Sequence, residues 1–496
     1  MKILNKDRQQ KIYYFPCIIL LLTSSFLLPT SSFAQAGWTP DMRLTFRQGI
    51  GFYPRAACCG DTIHLVWWQA YISHDEIFYK RSTDAGMTWG NDTVISKEDT
   101  IGGYIPTISV AGNNIHVAWY ETGAYYHAIC YRRSTDGGET WNNIDTIMKA
   151  SYFGISYPWI CVNKNILYLV AASSANNGKL MFSKSIDNGN NWTDSIAIAS
   201  FWGEPRMVNP TNDSLFLFIV YRDSNVEISS IRSFDGGASW SVDRIISDYD
   251  TIASQQPALT IDDNFKIHIT WYDYKYSPYS WTGDIFYRSS PDSGTTWWPI
   301  ESLTSYHRAV YSDIIAISNT LYLVWDDNRN GPNSNFEIYY RLSTDLGQTW
   351  LPEVRLTDAD SNSTNPSLAT DGNYLHLFWM DNRDTNYNSS GAIYYKRKNW
   401  LGISEAKQNI PDNSSLFLSC PTIVKGNFPI RYNLGDNKSG TIALIDLTGR
   451  TINIITVDAN RKEDYIIIKK EVANGLYFLM LKAGINHQIK KVVVIR

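Results

Sequence analysis

Cysteine is scarce in this chain. There are six among 496 residues, and five lie beyond the N-terminal leader: Cys58, Cys59, Cys130, Cys161 and Cys420. So few cannot staple a chain of this length, and no Cys-x-x-Cys or Cys/His spacing outlines a zinc site; no metal and no cofactor is expected. A Cys130–Cys161 bridge stays open beside the alternative of buried thiols on strands. Charge of one sign is missing too. The 44 Lys and Arg against 48 Asp and Glu leave a net charge of −4. Without a basic surplus to neutralise phosphates, nucleic acid is excluded as the main partner. There is no phosphate-cradling Gly loop, no HExxH and no nucleophile elbow. What the chain has in plenty is apolar surface: 44% hydrophobic residues, with 18 Trp and 32 Tyr. That content can bury a sizeable core and excludes disorder as the main state.

Residues 1–36 read as a secretory signal peptide. Lys2, Lys6, Arg8 and Lys11 precede the apolar run Ile18–Leu28, and small-x-small cleavage sites follow at Ser32–Ala34 and Ala34–Ala36. The run is interrupted by Thr23, Ser24 and Ser25 and is short for a span of about 20 residues. The expectation is a soluble exported protein with no stable transmembrane segment after cleavage.

Residues 37–400 repeat. A box Ser82-x-Asp84-x-Gly86-x-Thr88-Trp89 returns around Asp136, Asp187, Asp235, Asp292 and Asp345, at spacings of 52, 51, 48, 57 and 53 residues. Before each box lie aromatic-rich runs with strand character, such as Glu76–Lys80, Asp284–Arg288 and Glu337–Arg341. A second run ends in a tryptophan in most units: Trp67, Trp119, Trp271, Trp325 and Trp379. A shorter strand begins near a proline (Pro106, Pro158, Pro257, Pro366), and a fourth follows the box. Four short strands per unit describe a propeller blade. Trp38–Thr45 matches Trp350–Thr357, while the last unit has its third strand but no box. One N-terminal strand would therefore complete the last blade and remove the open edges of the array. The fold expected is all-β: a seven-bladed β-propeller, with six blades as the fallback, closed by an N-terminal strand and followed by a small C-terminal β-sandwich.

The boxes look like folding devices, since Asp accepts turn N–H groups, Gly tolerates positive φ and Trp buries a large surface. His64, His116, His268 and His376 share one repeat position with Tyr168 and Tyr322, so they read as strand filler rather than a metal cluster. S-x-D-x-G-x-T-W resembles the Asp-box (BNR repeat) of the sialidase superfamily, over residues 37–400. That resemblance implies a glycosidase, lectin-like or receptor propeller, with its site on the face opposite the boxes.

On that face an acid recurs two residues past the repeat tryptophan: Glu121, Asp273, Asp327 and Asp381, with Asp223 at a similar place. Arginines accompany them at Arg222, Arg329 and Arg383, and Arg55, Arg206 and Arg308 lie near first-strand starts. Paired carboxylates and guanidinium forks are what hydrolysis of an anionic sugar requires. Glu121, Asp273, Asp327 and Asp381 are thus the candidate catalytic acids, and Arg55, Arg222, Arg308, Arg329 and Arg383 the candidate substrate contacts. The competing reading is that a position repeated in most blades caps a strand. Sialidases carry Arg-Ile-Pro before the first blade, whereas this chain has Tyr53-Pro54-Arg55 there, which puts catalysis in doubt. Asp358-x-Asp360-x-Asn362 resembles the start of a calcium loop without its Gly and distal Glu, and reads as a solvated turn.

Residues 401–415 read as a polar linker and 416–496 as the small sandwich. Asp446-Leu-Thr-Gly-Arg450, Asn474-Gly-Leu-Tyr-Phe478 and the terminal Lys490-Lys-Val-Val-Val494 resemble the C-terminal sorting domain of the type IX (Por) secretion system. The expected partners are that outer-membrane machinery and a glycan or extracellular polymer, and the expected location is the cell surface or the medium. The expected function is a binding propeller without proven catalysis; the alternative is a sialidase-type exo-glycosidase with a rearranged arginine/carboxylate site.

Overall fold

The computed structural model describes residues 37–399, apart from 48, 71–74, 98, 100, 124–125, 151–153, 175–177, 202, 211–214, 280, 330–334 and 385–390, together with the strands between 416 and 495. The leader and the linker expected from the sequence lie outside the described residues. Two compact units divide near Ser404.

In the first unit the described residues form seven four-stranded antiparallel sheets. Their first strands are Ile50–Cys59, Gly102–Ala111, Ile155–Asn163, Arg206–Val208, Ser254–Ile261, Ala309–Ile317 and Ser363–Thr370, and we number the sheets one to seven in this order. Neighbouring first strands pack side by side, and that of sheet seven packs against that of sheet one, so the ring closes. The fourth strand of sheet seven is Met42–Arg43, paired antiparallel with Ala392–Asn399. The closing segment thus comes from the N-terminus, as expected. Trp38 stacks edge-on against Tyr340 of sheet six at 5.7 Å, the place a box tryptophan takes elsewhere.

The boxes join third to fourth strands. Ser82 donates its hydroxyl to Asp84 Oδ1 at 2.7 Å, Thr88 donates both its N–H (2.8 Å) and its hydroxyl (2.6 Å) to the same carboxylate, and Gly86 N–H reaches Ser82 Oγ at 2.9 Å. Donors converging on the charged carboxylate favour ionisation, so Asp84 sits below the usual range and Asp187 and Asp235 are brought to about 2. Asp136, Asp292 and Asp345 are held the same way. Between sheets the box clamps an aromatic ring of the preceding sheet. Trp141 lies edge-on to Tyr79 at 4.9 Å, Trp192 to Tyr131 and Trp240 to Phe182. The glycine supplies the clearance: at Gly138, with φ +89°, a Cβ would sit 2.1 Å from the Tyr79 hydroxyl. The repeat histidines belong to this clamp. His64, His116, His268 and His376 each pair Nδ1 with the hydroxyl of Tyr79, Tyr131, Tyr287 or Tyr395 at 2.7–2.8 Å.

No disulfide joins Cys130 to Cys161, and the Cys161 thiol donates to the Met207 carbonyl. The calcium-like turn is tied into the sheet, with Asp358 paired to Arg355 and Asn362 accepting the Phe336 N–H. The C-terminal unit packs a three-stranded sheet against a five-stranded one around Leu418, Tyr432, Leu444, Leu479 and Val492.

Candidate functional site

Connectivity alone fixes the two faces. First strands start, and second strands turn into third strands, on the face opposite the boxes. The acids repeated at that turn are engaged within their own sheets. On a strand, residues i and i+2 point the same way, so the side chain two past the tryptophan meets its indole. Trp119 Nε1 donates to Glu121 at 3.1 Å, Trp325 to Asp327 at 3.3 Å and Trp379 to Asp381 at 2.8 Å; in sheet one Gln69 does the same without a charge. Asp273 instead accepts from the Ser254 hydroxyl (2.6 Å) and the Lys275 N–H (2.7 Å), and burial raises its pKa. Asp273, Asp327 and Asp381 are all buried. Their bonds make strand caps and offer no free pair of carboxylates.

Two of the arginines follow them. Arg383 forks onto Asp381 at 2.9 and 2.6 Å and reaches Asp41 of the N-terminal segment at 2.7 Å, so it pins the ring closure. Arg329 pairs with Asp327 and Glu353, its guanidinium lying between the rings of Tyr306 (4.0 Å) and Tyr339 (4.6 Å). Arg222 packs under Gly203, where a Cβ would meet its own Cβ at 3.0 Å.

A different set converges on the ring axis. A pocket lined by Tyr53, Arg55, Glu204, Arg206, Gln256, Tyr311 and Asn365 draws residues from sheets one, four, five, six and seven, which meet only at the centre. A bulge interrupts the first strand of every sheet but the fourth, and the residue there takes positive φ: Tyr53, Ile105, Tyr157, Gln256, Tyr311 and Asn365, at 44–55°. All but Tyr311 precede a proline, a position where such a conformation is unfavourable, and strain of this kind gathers at functional sites. Next along the first strands come Arg55, Trp159 and Asp313 beside their bulges, and Arg206 at the start of the unbulged fourth sheet.

Arg206 lies 4.5 Å and Arg55 5.9 Å from the centre of the Trp159 ring. Burial and the neighbouring Arg206 guanidinium push Arg55 down to about 10, against the opposing pull of Asp313 and Glu204. Glu204 accepts from Arg206 at 3.3 Å and from Gln256 at 3.2 Å. Burial raises the Tyr53 phenol, and Glu204 adds to the shift. Asp326 faces Tyr311; it is buried, and burial holds its carboxyl well above the usual range against the opposing backbone N–H groups of Asp326 and Asn365. The free volume at the mouth is about 20 Å³, enough for one water.

On the same face the turn between the second and third strands of sheet five carries Tyr276, Tyr279 and Trp281, and Tyr306 lies in the connection that leads into sheet six. Tyr276, Trp281 and Tyr306 are 56%, 60% and 56% exposed. Arg308 lies 4.0 Å over the Tyr279 ring and donates to its hydroxyl at 2.8 Å. Of the arginines the sequence singled out, Arg55 and Arg206 line the mouth and Arg308 sits on Tyr279, while Arg329 and Arg383 serve as pins. Glu204, Gln256, Tyr311 and Asn365 escaped sequence reasoning, although each sits in the X-Pro-Z unit or its equivalent at the start of a first strand.

Residues 421–495 match the family of secretion system C-terminal sorting domains. No curated protein matches the chain. Solved structures similar to it include a protein of unknown function from Dyadobacter fermentans (14% identity, TM-score 0.47, covering 73% of this chain and 99% of that one). Others are the α-L-arabinofuranosidase Arb93A of Fusarium graminearum (12%, 0.48, 74% and 99%) and a Trypanosoma rangeli sialidase mutant (12%, 0.43, 92% and 89%). The fold and the tail together define a β-propeller that carries an export address. The tail directs the chain through the type IX secretion machinery across the outer membrane, to the cell surface or the extracellular space.

Proposed function

We propose that this exported propeller binds an extracellular glycan, or a polymer of similar chemistry, across the rim of its channel mouth. One observation carries the reading: Tyr276, Trp281 and Tyr306 are exposed around a half-buried Tyr279 on the face where the channel opens, and the channel mouth itself is too small to take a sugar ring. Aromatic faces exposed together mark a contact surface. Rings of this kind present an apolar face with a polar tip, which suits the mixed surface of a saccharide. Arg308, held flat on Tyr279, adds a fork for a carboxylate or sulfate on the ligand.

The second reading, an exo-glycosidase for an acidic sugar, is favoured by the Arg55–Arg206 pair next to Glu204 and the Tyr53 and Tyr311 phenols. Under it Glu204 and a phenol would carry the chemistry, and the repeated acids would not. The experiment that separates the two uses the mature protein on immobilised neutral and anionic glycans and, in parallel, on fluorogenic glycosides. Saturable binding lost in Trp281→Ala, with no turnover, is the expected outcome. Turnover abolished by Glu204→Gln would instead establish the enzyme.

A further inference from the structure

The opposite face carries a second site. On the box face, five of the seven junctions between sheets are plugged by a cation, while between sheets six and seven the equivalent residue is Leu342. The residue before the box serine reaches the carbonyl of the fourth box residue in the next sheet. Arg81 donates to the Gly137 carbonyl at 2.5 Å, Lys184 to Gly236 at 3.2 Å and Arg232 to Ser293 at 2.6 Å; Arg133 to Asn188 and Arg397 to Ala85 complete the set. Three of them also engage the sixth box residue: Arg81 with Glu139, Arg133 with Asn190 and Arg232 with Thr295.

Between sheets five and six the rule breaks. The plug position is Ser289, whose side chain is far too short to span the junction. A cleft of about 590 Å³ opens there, lined by Ser289, Trp298, Glu301, Leu346 and Gln348 among others, a size within the range of ligand sites. The socket itself is intact. Leu346 holds the same left-handed turn (φ 55°) as Ala85, Asn188 and Ser293, and so aims its carbonyl the same way. Gln348 stands where Glu139, Asn190 and Thr295 receive a guanidinium. Trp298, 60% exposed, occupies a position that is Gly90, Asn142, Thr193, Ser241 or Leu351 in the other boxes. Its N–H makes the same strand bond as theirs, so only the side chain differs. An indole face suits a cation, and Glu301 adds a carboxylate.

We propose that this cleft is a socket for an arginine side chain presented by another extracellular polypeptide. The five sibling junctions show the chemistry that fits: a guanidinium or ammonium on the carbonyl of the fourth box residue, with a side-chain acceptor two residues on. Carbonyl, amide, carboxylate and aromatic face together offer acceptors; Lys266, His268 and Tyr287 share the lining, and Arg341 acts on Glu301 from outside it.

The test uses the intact protein and ligand-detected NMR with Nα-acetyl-arginine amide, against its neutral isostere Nα-acetyl-citrulline amide. Binding of the arginine probe alone is expected. Ser289→Arg rebuilds the sibling plug: it should weaken the probe at least tenfold and raise the unfolding midpoint. Trp298→Ala should weaken it roughly two- to fivefold. Equal binding of both probes, or unchanged binding in a folded Ser289→Arg variant, overturns the proposal. So does binding that emerges only in Lys266→Ala, since the socket would then be filled from within.

Discussion

The two faces of the propeller use repetition in opposite ways. On the box face both backbone and side chains recur: serine, aspartate and glycine stand at fixed places, and the same ring is clamped by the same tryptophan. On the channel face only the backbone recurs. The bulge returns in six sheets, yet the side chain it presents is Tyr53, Ile105, Tyr157, Gln256, Tyr311 or Asn365 in turn. Where the same residue does the same task in every sheet, it builds the ring. Where one geometry carries a different residue in each sheet, the ring is asymmetric, and a ligand can be told apart from its mirror positions. The repeated acids follow the first rule despite lying on the second face.

Four results would sharpen or break this contrast. The largest effect is expected from deleting residues 37–45, which removes the strand on Tyr394 and Tyr395 and the Trp38 contact with Tyr340. Loss of cooperative unfolding, with association through the bared edge, is the outcome to look for by calorimetry and light scattering. Next comes a pair of adjacent glycines. Gly138→Ala should cost about 3 kcal/mol or more, because its Cβ would enter the Tyr79 ring and its φ is positive. Gly137→Ala should cost only about 1 kcal/mol, since Ala85 and Leu346 already occupy the equivalent place. Equal losses in chemical denaturation would remove the clamp from the explanation.

A smaller effect concerns pH. The Asp326 carboxyl is raised by burial, while in the unfolded chain it ionises near 3.9. Above that value unfolding releases a proton that the folded protein retains, so wild-type stability falls as pH rises toward the folded pKa. Asp326→Asn cannot ionise, and its stability relative to wild type should be unchanged below about pH 4 and higher toward neutrality. Parallel stability curves would place Asp326 in a solvated setting. The smallest effect belongs to the rim: Trp281→Ala should leave stability within about 0.5 kcal/mol, because its ring is mostly exposed. A larger loss would make the patch part of the scaffold.

Much of the ring was legible because its devices are local. The box keeps its aspartate, glycine and tryptophan within eight residues, and the match of Trp38–Thr45 to Trp350–Thr357 pointed to the closing strand. The histidines were readable as filler because tyrosine replaces them at the same place, and each proved to pair with a clamped tyrosine. The site was less legible for two physical reasons. Period-two alternation puts Glu121, Asp327 and Asp381 beside the indole two residues back, so acids that looked poised for chemistry cap strands instead. Glu204, Gln256, Tyr311 and Asn365 come from four different sheets, and nothing in their separate sequences links them. Their only common mark is a place at the start of a first strand, which a scan for one repeated residue type passes over.

The contrast between the faces is tested most directly by the unfolding of two arginine variants, with no ligand needed. Arg383→Ala should lose about 3 kcal/mol or more, because it leaves the buried Asp381 carboxylate without its cation, while Asp41 keeps only Lys396. Arg55→Met should unfold no earlier than the parent, because the charge it removes is crowded by Arg206 and depressed by burial. If Arg55→Met is the destabilised variant and Arg383→Ala is not, the channel mouth is scaffold and the account is wrong.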